Sequence, residues 1–287
     1  FTKAFGNGWQ VLTHANGDAA IDQLIRAVRG AKAAYPGGDP RPVMIHGQTM
    51  REDQVDAVKS LGIFPALFPM HTFYWGDWHR DSVLGPERAE NISPTGWMMQ
   101  RGMIFSSHHD APVAFPDSIR VLSATVNRTT RSGQVLGPQH RVDPVVGLKS
   151  ISLWAAYQHF EEKTKGSIEV GKLADFVVLS DNPLTMPREK LADLKVLETI
   201  KEGRTVYRLD PAKTADGSCM ASAACSVRFR GPSYPCSARP RTRIERRDYP
   251  RSVGRIRRGF SRSIMRRSLA PKMASSPFTW SIDVRYG

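Results

Sequence analysis

The 287-residue chain lacks the features that would place it in a membrane or in a secretory pathway. It has no apolar run of about 18 residues, the minimum for a membrane-spanning helix, so no membrane span is expected. It begins at Phe1 without a charged and then apolar leader, so no signal peptide is visible and a cytoplasmic location is expected. Because Met is also missing at position 1, the sequence suggests a fragment whose true N-terminus lies upstream.

Cysteine is scarce as well. The chain has 3 cysteines, Cys219, Cys225 and Cys236, and residues 1–211 contain none. Their irregular spacing matches neither a zinc-binding pattern nor an even disulfide framework. A cysteine-based site is therefore not expected.

Acidic residues are few in the C-terminal segment that contains these cysteines. Residues 212–287 carry 17 Lys and Arg against 4 Asp and Glu, whereas residues 1–211 carry 24 against 23. The formal net charge of +14 is therefore a property of the tail. Since the tail also lacks a periodic apolar pattern, residues 210–287 are predicted to be a disordered Arg-rich segment.

The abrupt change in composition has two explanations. One is an out-of-frame or otherwise aberrant translation after about Leu209, because a GC-rich gene yields Arg, Ser, Pro and Cys in the wrong frame. The other is an evolved basic tail that binds nucleic acid or an anionic membrane surface. The tail has no paired motif such as a recognition helix, so nucleic-acid binding is the less favoured alternative.

Residues 1–165 alternate short apolar runs with helical patterns. Helical spacing is clearest at Ile21, Leu24 and Val28, and a Thr49–Glu52 capping box opens the next helix. Strands alternating with helices predict parallel βα units and an α/β fold, and four such units amount to roughly half of a barrel of about 250 residues. The predicted strands cover residues 9–13, 42–45, 63–68 and 103–107, and later helices cover residues 96–101, 117–130 and 143–162.

Two β-rich stretches follow, Gly166–Ser180 and Leu194–Arg208. They predict strands of a small second domain. The expected organisation is a partial barrel over residues 1–165, a small β-rich segment over residues 166–209 and the basic tail over residues 210–287.

His14, His46 and Asp110 each follow a predicted strand at its carboxyl end, where βα barrels and open α/β sheets carry their chemistry. Imidazole and carboxylate are ligands that suit Zn²⁺ with an open coordination position. Such an ion lowers the pKa of bound water to about 7, and a carboxylate can pass the water's proton to a leaving amine. The three residues together predict a divalent metal site, with zinc favoured and one or two ions. Each residue alone is more simply a polar residue at a strand end.

Other polar residues lie close to these three in sequence. Asp18, one turn beyond His14, could orient it or could only cap a helix. In the aromatic loop of residues 69–80, His71 and Asp77 could bind a polar substrate group or only pack over the barrel mouth.

Two more residues complete the candidate substrate-binding set. His108 lies two positions before the candidate ligand Asp110, and Arg131 directly follows the helix predicted at 117–130. An arginine there could bind a substrate carboxylate, although a solvated surface arginine is the simpler explanation.

Several segments in order resemble the amidohydrolase superfamily, in the subgroup related to N-substituted formamide deformylases and D-aminoacylases. WQVLTHANGDAAI resembles its HA-x-GD-x-A segment, and MIHGQTMREDQVDAVKSLG resembles the signature that follows. The resemblance continues through FPMH, SHHDAP, GSIEVGKLADFVVLSDNP and IKEGRTVY, and spans about residues 1–208.

The resemblance implies the C-terminal half of a (β/α)8 TIM-type barrel and part of a small β-sandwich over residues 166–209. In that barrel His14 and His46 are the metal ligands of strands five and six. Asp110 would be the strand-eight aspartate, both ligand and proton shuttle. The implied activity is metal-dependent hydrolysis of carbon–nitrogen bonds in a small amide or cyclic amide. The family's His-x-His of strand one and its strand-four ligand are absent, and Ile45 replaces the usual Glu.

Two other functions remain open from the sequence: a catalytically inactive barrel-fold regulatory protein, and nucleic-acid binding through the tail. A homo-oligomer is also compatible with the sequence. Because part of the ligand set is missing, this chain alone is expected to be inactive or nearly so.

Overall fold

The computed structural model describes residues 1–210, so the predictions for residues 211–287 lie outside the described residues. The α-helices are α1 Thr2–Gly6, α2 Asp18–Ala34, α3 Glu52–Ser60, α4 Met70–Trp78, α5 Gly85–Ala89, α6 Thr95–Gln100, α7 Ser118–Asn127, α8 Pro144–Ile151 and α9 Leu153–Gln158. A π-helix covers His79–Val83, and 3-10 helices cover Pro138–His140 and Arg188–Asp193. The strands are β1 Leu12–Ala15, β2 Val43–His46, β3 Phe64–Leu67, β4 Ser106–Ser107, β5 Phe176–Leu179, β6 Val196–Lys201 and β7 Arg204–Arg208.

The first four strands form one parallel sheet in the order β1-β2-β3-β4. Ala15 is paired with His46, His46 with Leu67 and Leu67 with Ser107. The prediction of consecutive parallel βα units is confirmed. Because parallel strands end at one edge, the residues after β1 to β4 share that edge; closure of the sheet into a barrel stays a prediction.

The first strand lies further along the chain than predicted. The apolar run at residues 9–13 begins in a turn, where the amide of Trp9 donates to the carbonyl oxygen of Ala4. Pairing starts only at Val11, whose carbonyl oxygen accepts from the amide of Val43. His14 therefore lies within β1 and does not follow it.

The amphipathic pattern of α2 is confirmed, since Ile21, Leu24 and Val28 are buried in the main core. The predicted Thr49–Glu52 capping box is wrong. Arg51 precedes α3 instead, and its amide donates to the side chain of Gln54 at 3.0 Å. The Thr49 hydroxyl accepts from the amide of Asp18 at 3.1 Å, so it caps the start of α2.

Three other predicted elements are shorter than the sequence pattern indicates. The helix predicted at 117–130 ends at Asn127, because Arg128 has a left-handed backbone with φ of 55°. The helix predicted at 143–162 is divided at Ser152 into α8 and α9. The fourth strand, predicted at 103–107, is reduced to Ser106–Ser107.

The last three strands form a separate antiparallel sheet in the order β5-β6-β7. Strands are found in both predicted β-rich stretches, although the first contains only the short β5, and membership of a β-sandwich stays a prediction. Among the helices of residues 1–210, none has the length and apolar character needed to cross a bilayer.

Candidate metal centre and histidine wall

Two of the three predicted metal ligands lie side by side. Nδ1 of His14 and Nε2 of His46 are 2.9 Å apart, and the two rings meet edge to face. The pair forms because β1 and β2 are adjacent parallel strands and both side chains turn to the carboxyl edge. His14 is exposed on the outermost strand, whereas His46 is 2% exposed.

The backbone after β2 turns sharply at His46. His46 and Gly47 both have positive φ, 80° and 57°. The positive φ of Gly47 is a conformation that favours glycine, and an added Cβ atom would also lie 2.9 Å from the terminal methyl carbons of Met44 and Met50. The turn directs the imidazole of His46 over the sheet edge.

Asp110 is the third predicted ligand and lies in the turn after β4. Its backbone φ is 54°, a left-handed conformation that aspartate adopts more readily than most residues. Burial lowers the pKa of His46, while the negative charge of Asp110 acts in the opposite direction and His14 acts with burial. Asp110 is therefore near enough to His46 to act on it electrostatically.

Three more histidines, His71, His79 and His108, form what we call the histidine wall. His71 and His108 pack on the ring of Phe68, with centroid distances of 4.6 Å and 5.2 Å. The ring of His46 lies 5.8 Å from His71 and 5.1 Å from His108. The wall is thus continuous with the candidate ligand pair.

Burial keeps the histidine wall neutral. It lowers the pKa of His71 and of His108 to about 3, with a further lowering from neighbouring histidines. Burial also lowers the pKa of His79. One buried ring nitrogen in each of these residues has no hydrogen-bond partner within the described chain: Nδ1 of His71, Nδ1 of His79 and Nε2 of His108.

His79 was not assigned a role from the sequence. It follows α4 as the first residue of the π-helix, a rare element that often occurs at functional sites. The amide nitrogen of Gln48 donates to Nε2 of His79 at 2.9 Å, which leaves the proton of the neutral ring on Nδ1. His79 lies eight residues after His71, close to two helical turns, and this spacing could have indicated that the two side chains lie on the same side of a helix.

The other two candidate substrate-binding residues, Asp77 and Arg131, contact residues outside the histidine wall. The carboxylate of Asp77 accepts from the hydroxyl of Ser132 at 2.8 Å and lies 3.5 Å from Arg80. The exposed guanidinium of Arg131 lies 5.9 Å from the ring centre of Tyr74. Substrate roles for these two residues stay predictions.

Asp18 makes contacts away from His14. Its carboxylate lies 3.8 Å from the guanidinium of Arg51 and 3.7 Å from that of Arg88. It also accepts from the amide of Ala19 at 3.0 Å, as a helix-start residue does. Its orienting role toward His14 stays a prediction.

The donor set fits a divalent metal only in part. Imidazole nitrogens from His14 and His46 approach one point, and Asp110 supplies a nearby carboxylate. Within residues 1–210, however, no group of three or more His, Cys, Asp or Glu side chains is arranged to hold a metal ion. The structure therefore brings together one pair of candidate donor nitrogens, and their role as metal ligands stays a prediction.

Comparison with known proteins decides the family. The Amidohydrolase family model matches residues 1–207. The chain belongs to the amidohydrolase family. This amidohydrolase is 25% identical over 209 residues to YtcJ of Bacillus subtilis (strain 168) and 26% identical over 205 residues to the N-substituted formamide deformylase of Arthrobacter pascens. The resemblance to N-substituted formamide deformylases is confirmed.

The fold agrees with that family. A metal-dependent hydrolase from Pyrococcus horikoshii OT3 matches 65% of this chain with a TM-score of 0.53 at 22% identity. The amidohydrolase spans 39% of the length of YtcJ, 37% of the deformylase and 37% of the Pyrococcus chain.

Proposed function

We propose that the chain carries part of the metal site of a hydrolase that cleaves carbon–nitrogen bonds in small non-peptide amides or cyclic amides. The main support is the 2.9 Å approach of His14 Nδ1 and His46 Nε2. Two imidazoles on one tetrahedral zinc, at about 2.0–2.1 Å each, hold their nitrogens roughly 3.3 Å apart. The two nitrogens would therefore need to move apart by only a few tenths of an ångström to bind one zinc ion.

His14 and His46 would hold the metal, with Asp110 as the carboxylate ligand and at least one further ligand. Zinc is the ion that imidazole and carboxylate donors favour, as one ion or two. When bound, a divalent metal polarises the substrate carbonyl oxygen and lowers the pKa of water toward neutrality.

Asp110 is the proposed catalytic residue. It accepts the proton of the attacking water as the carbon–oxygen bond forms, and passes that proton to the nitrogen as the carbon–nitrogen bond breaks. A carboxylate near His46 suits this task, because its negative charge favours the metal.

The histidine wall and Phe68 are the proposed surface for the substrate. Neutral imidazoles offer hydrogen bonds without charge, and Phe68 offers an apolar face. An uncharged N-substituted amide suits such a surface, in keeping with the likeness to an N-substituted formamide deformylase. No observation favours the alternatives of an inactive regulatory barrel or nucleic-acid binding.

The test is zinc binding by the 287-residue chain, measured by equilibrium dialysis. Cysteine thiolates also bind zinc, so Cys219, Cys225 and Cys236 are first changed to serine. We expect His14→Ala and His46→Ala to reduce zinc affinity at least tenfold.

His159→Ala is the matched control, because His159 is exposed at the end of α9. It should bind zinc as the parent does. Equal zinc affinity in His14→Ala, His46→Ala and the parent would remove the histidine pair from the metal site.

A further inference from the structure

Arg128 is the largest side chain that is fully buried in residues 1–210, with 0% exposure. It lies directly after α7 with a left-handed backbone, φ of 55°, which is unfavourable for a residue other than glycine. Burial lowers the pKa of Arg128 to about 9, so the guanidinium remains charged at neutral pH. A buried positive charge is unfavourable unless specific polar partners compensate it.

Main-chain carbonyl groups are those partners. Nε donates to Leu136 at 2.8 Å, Nη1 to Ser93 at 3.0 Å and Nη2 to Ile92 at 2.7 Å. Within the described residues no carboxylate lies within 4.0 Å of the guanidinium, although Glu90 raises its pKa from further away. The planar fork of arginine reaches three carbonyl groups at once, which the single ammonium group of lysine cannot reproduce.

Ser93 connects Arg128 to the edge of the parallel sheet. Ser93 is completely buried and, like Arg128, has a positive φ, 48°. Its amide donates to the carbonyl oxygen of Gln48 at 2.8 Å, and its hydroxyl donates to that of Phe68 at 3.3 Å. Gln48 follows β2 and Phe68 follows β3, so one serine joins two strand ends.

Both of those strand-end residues support the histidine wall. The side chain of Gln48 holds His79, and the ring of Phe68 carries His71 and His108. We propose that Arg128 is a positioning residue of the proposed site: acting through Ser93, it fixes Gln48 and Phe68 and thereby orients the histidine wall. The inference rests on the proposed function only for the use of that wall by a substrate.

The test needs neither metal nor substrate, so its failure is distinguishable from failure of metal binding. The chain has 8 histidines, and ¹⁵N-histidine labelling with long-range ¹H–¹⁵N spectra reports the tautomer of each ring. In the parent chain we expect His79 to be a single neutral tautomer with its proton on Nδ1. In Arg128→Lys, which keeps the charge and loses the fork, the His79 signals should move toward a mixture of tautomers.

Arg141→Met is the matched control. Arg141 donates from Nε to the carbonyl oxygen of Asn127 at 2.9 Å and is exposed. It therefore touches the same helix end without reaching Ser93, and its loss should leave the His79 signals unchanged. A folded Arg128→Lys chain with parental signals for His71, His79 and His108, and only a lower melting temperature, would overturn the proposal.

If Arg128→Lys fails to fold, Ser93→Gly tests the proposed path through Ser93 instead. Glycine accepts the positive φ and keeps the amide bond to Gln48, but it loses the hydroxyl bond to Phe68. We expect the ring signals of His71 and His108 to shift while those of His79 remain. Unchanged signals for His71 and His108 would exclude the path through Ser93.

Discussion

Nδ1 of His14 lies 2.9 Å from Nε2 of His46, although 32 positions separate the two residues. Neighbouring parallel strands bring them together, but their surroundings differ. His46 is buried beside Phe68, whereas His14 is exposed on the edge strand. The buried histidine therefore has a fixed orientation, and the exposed one is oriented mainly by its partner.

Asp110→Asn is expected to weaken zinc binding of the cysteine-free chain about tenfold or more, because a carboxamide is a poorer ligand and carries no charge. Asp193→Asn, at an exposed position, is the control and should behave as the parent. Equal zinc affinity of the two variants in equilibrium dialysis would remove Asp110 from the proposed metal site.

The purified 287-residue chain, supplied with zinc, is expected to hydrolyse N-substituted formamides only at background level. Residues 1–210 do not arrange three or more ligand side chains around one point, and among their strands none pairs with the outer edge of β1. Product formation measured by chromatography, with and without a chelator, checks this. Rapid hydrolysis that the chelator removes would contradict it.

The folded chain should lose stability as the pH falls from about 6.5 toward 3. Burial lowers the pKa of His71 and His108 from 6.5 to about 3, so in this window the unfolded chain takes up protons that the folded chain excludes. Stability from these groups is complete above pH 6.5 and falls by up to about 1.4 kcal/mol per pH unit for each group.

Urea denaturation at pH 7 and at pH 5 measures this effect. His108→Leu removes one of the two groups, so its stability should depend less steeply on pH than that of the parent. His159→Leu, at an exposed position, is the control. An unchanged slope in His108→Leu would show that His108 does not titrate in the predicted window.

The basic tail is proposed to be an aberrant translation after about Leu209. The composition changes there, and the family match ends at residue 207. Resequencing the gene beyond that codon in independent isolates is the check. The same frame and the same tail in each isolate would contradict the proposal.

The sequence predicted the parallel sheet because its signals are local. Apolar runs, helical spacing and polar residues at strand ends are each visible within about ten positions, and they located His46 correctly at the end of β2. Boundaries were less accurate where long-range contacts decide them. Arg128, for example, continues an apolar helical pattern, yet it ends α7 because its guanidinium binds carbonyl groups near residue 92.

The histidine wall was only partly predictable. His71 and His108 stood out by proximity to candidate motifs, whereas His79 depends on Gln48, which lies 31 positions away. The hydrogen bond between Gln48 and His79 arises from tertiary packing, and no local sequence pattern indicates it. The same is true of Asp18, whose arginine partners come from other parts of the chain.

X-ray absorption at the zinc edge tests the central proposal most directly. The sample is the zinc-loaded chain with its 3 cysteines changed to serine. Two imidazole ligands at about 2.0 Å are predicted in the parent, and their scattering should fall in His14→Ala and in His46→Ala but not in His159→Ala. A zinc spectrum without imidazole, or one that neither His14→Ala nor His46→Ala alters, would contradict the proposed metal site.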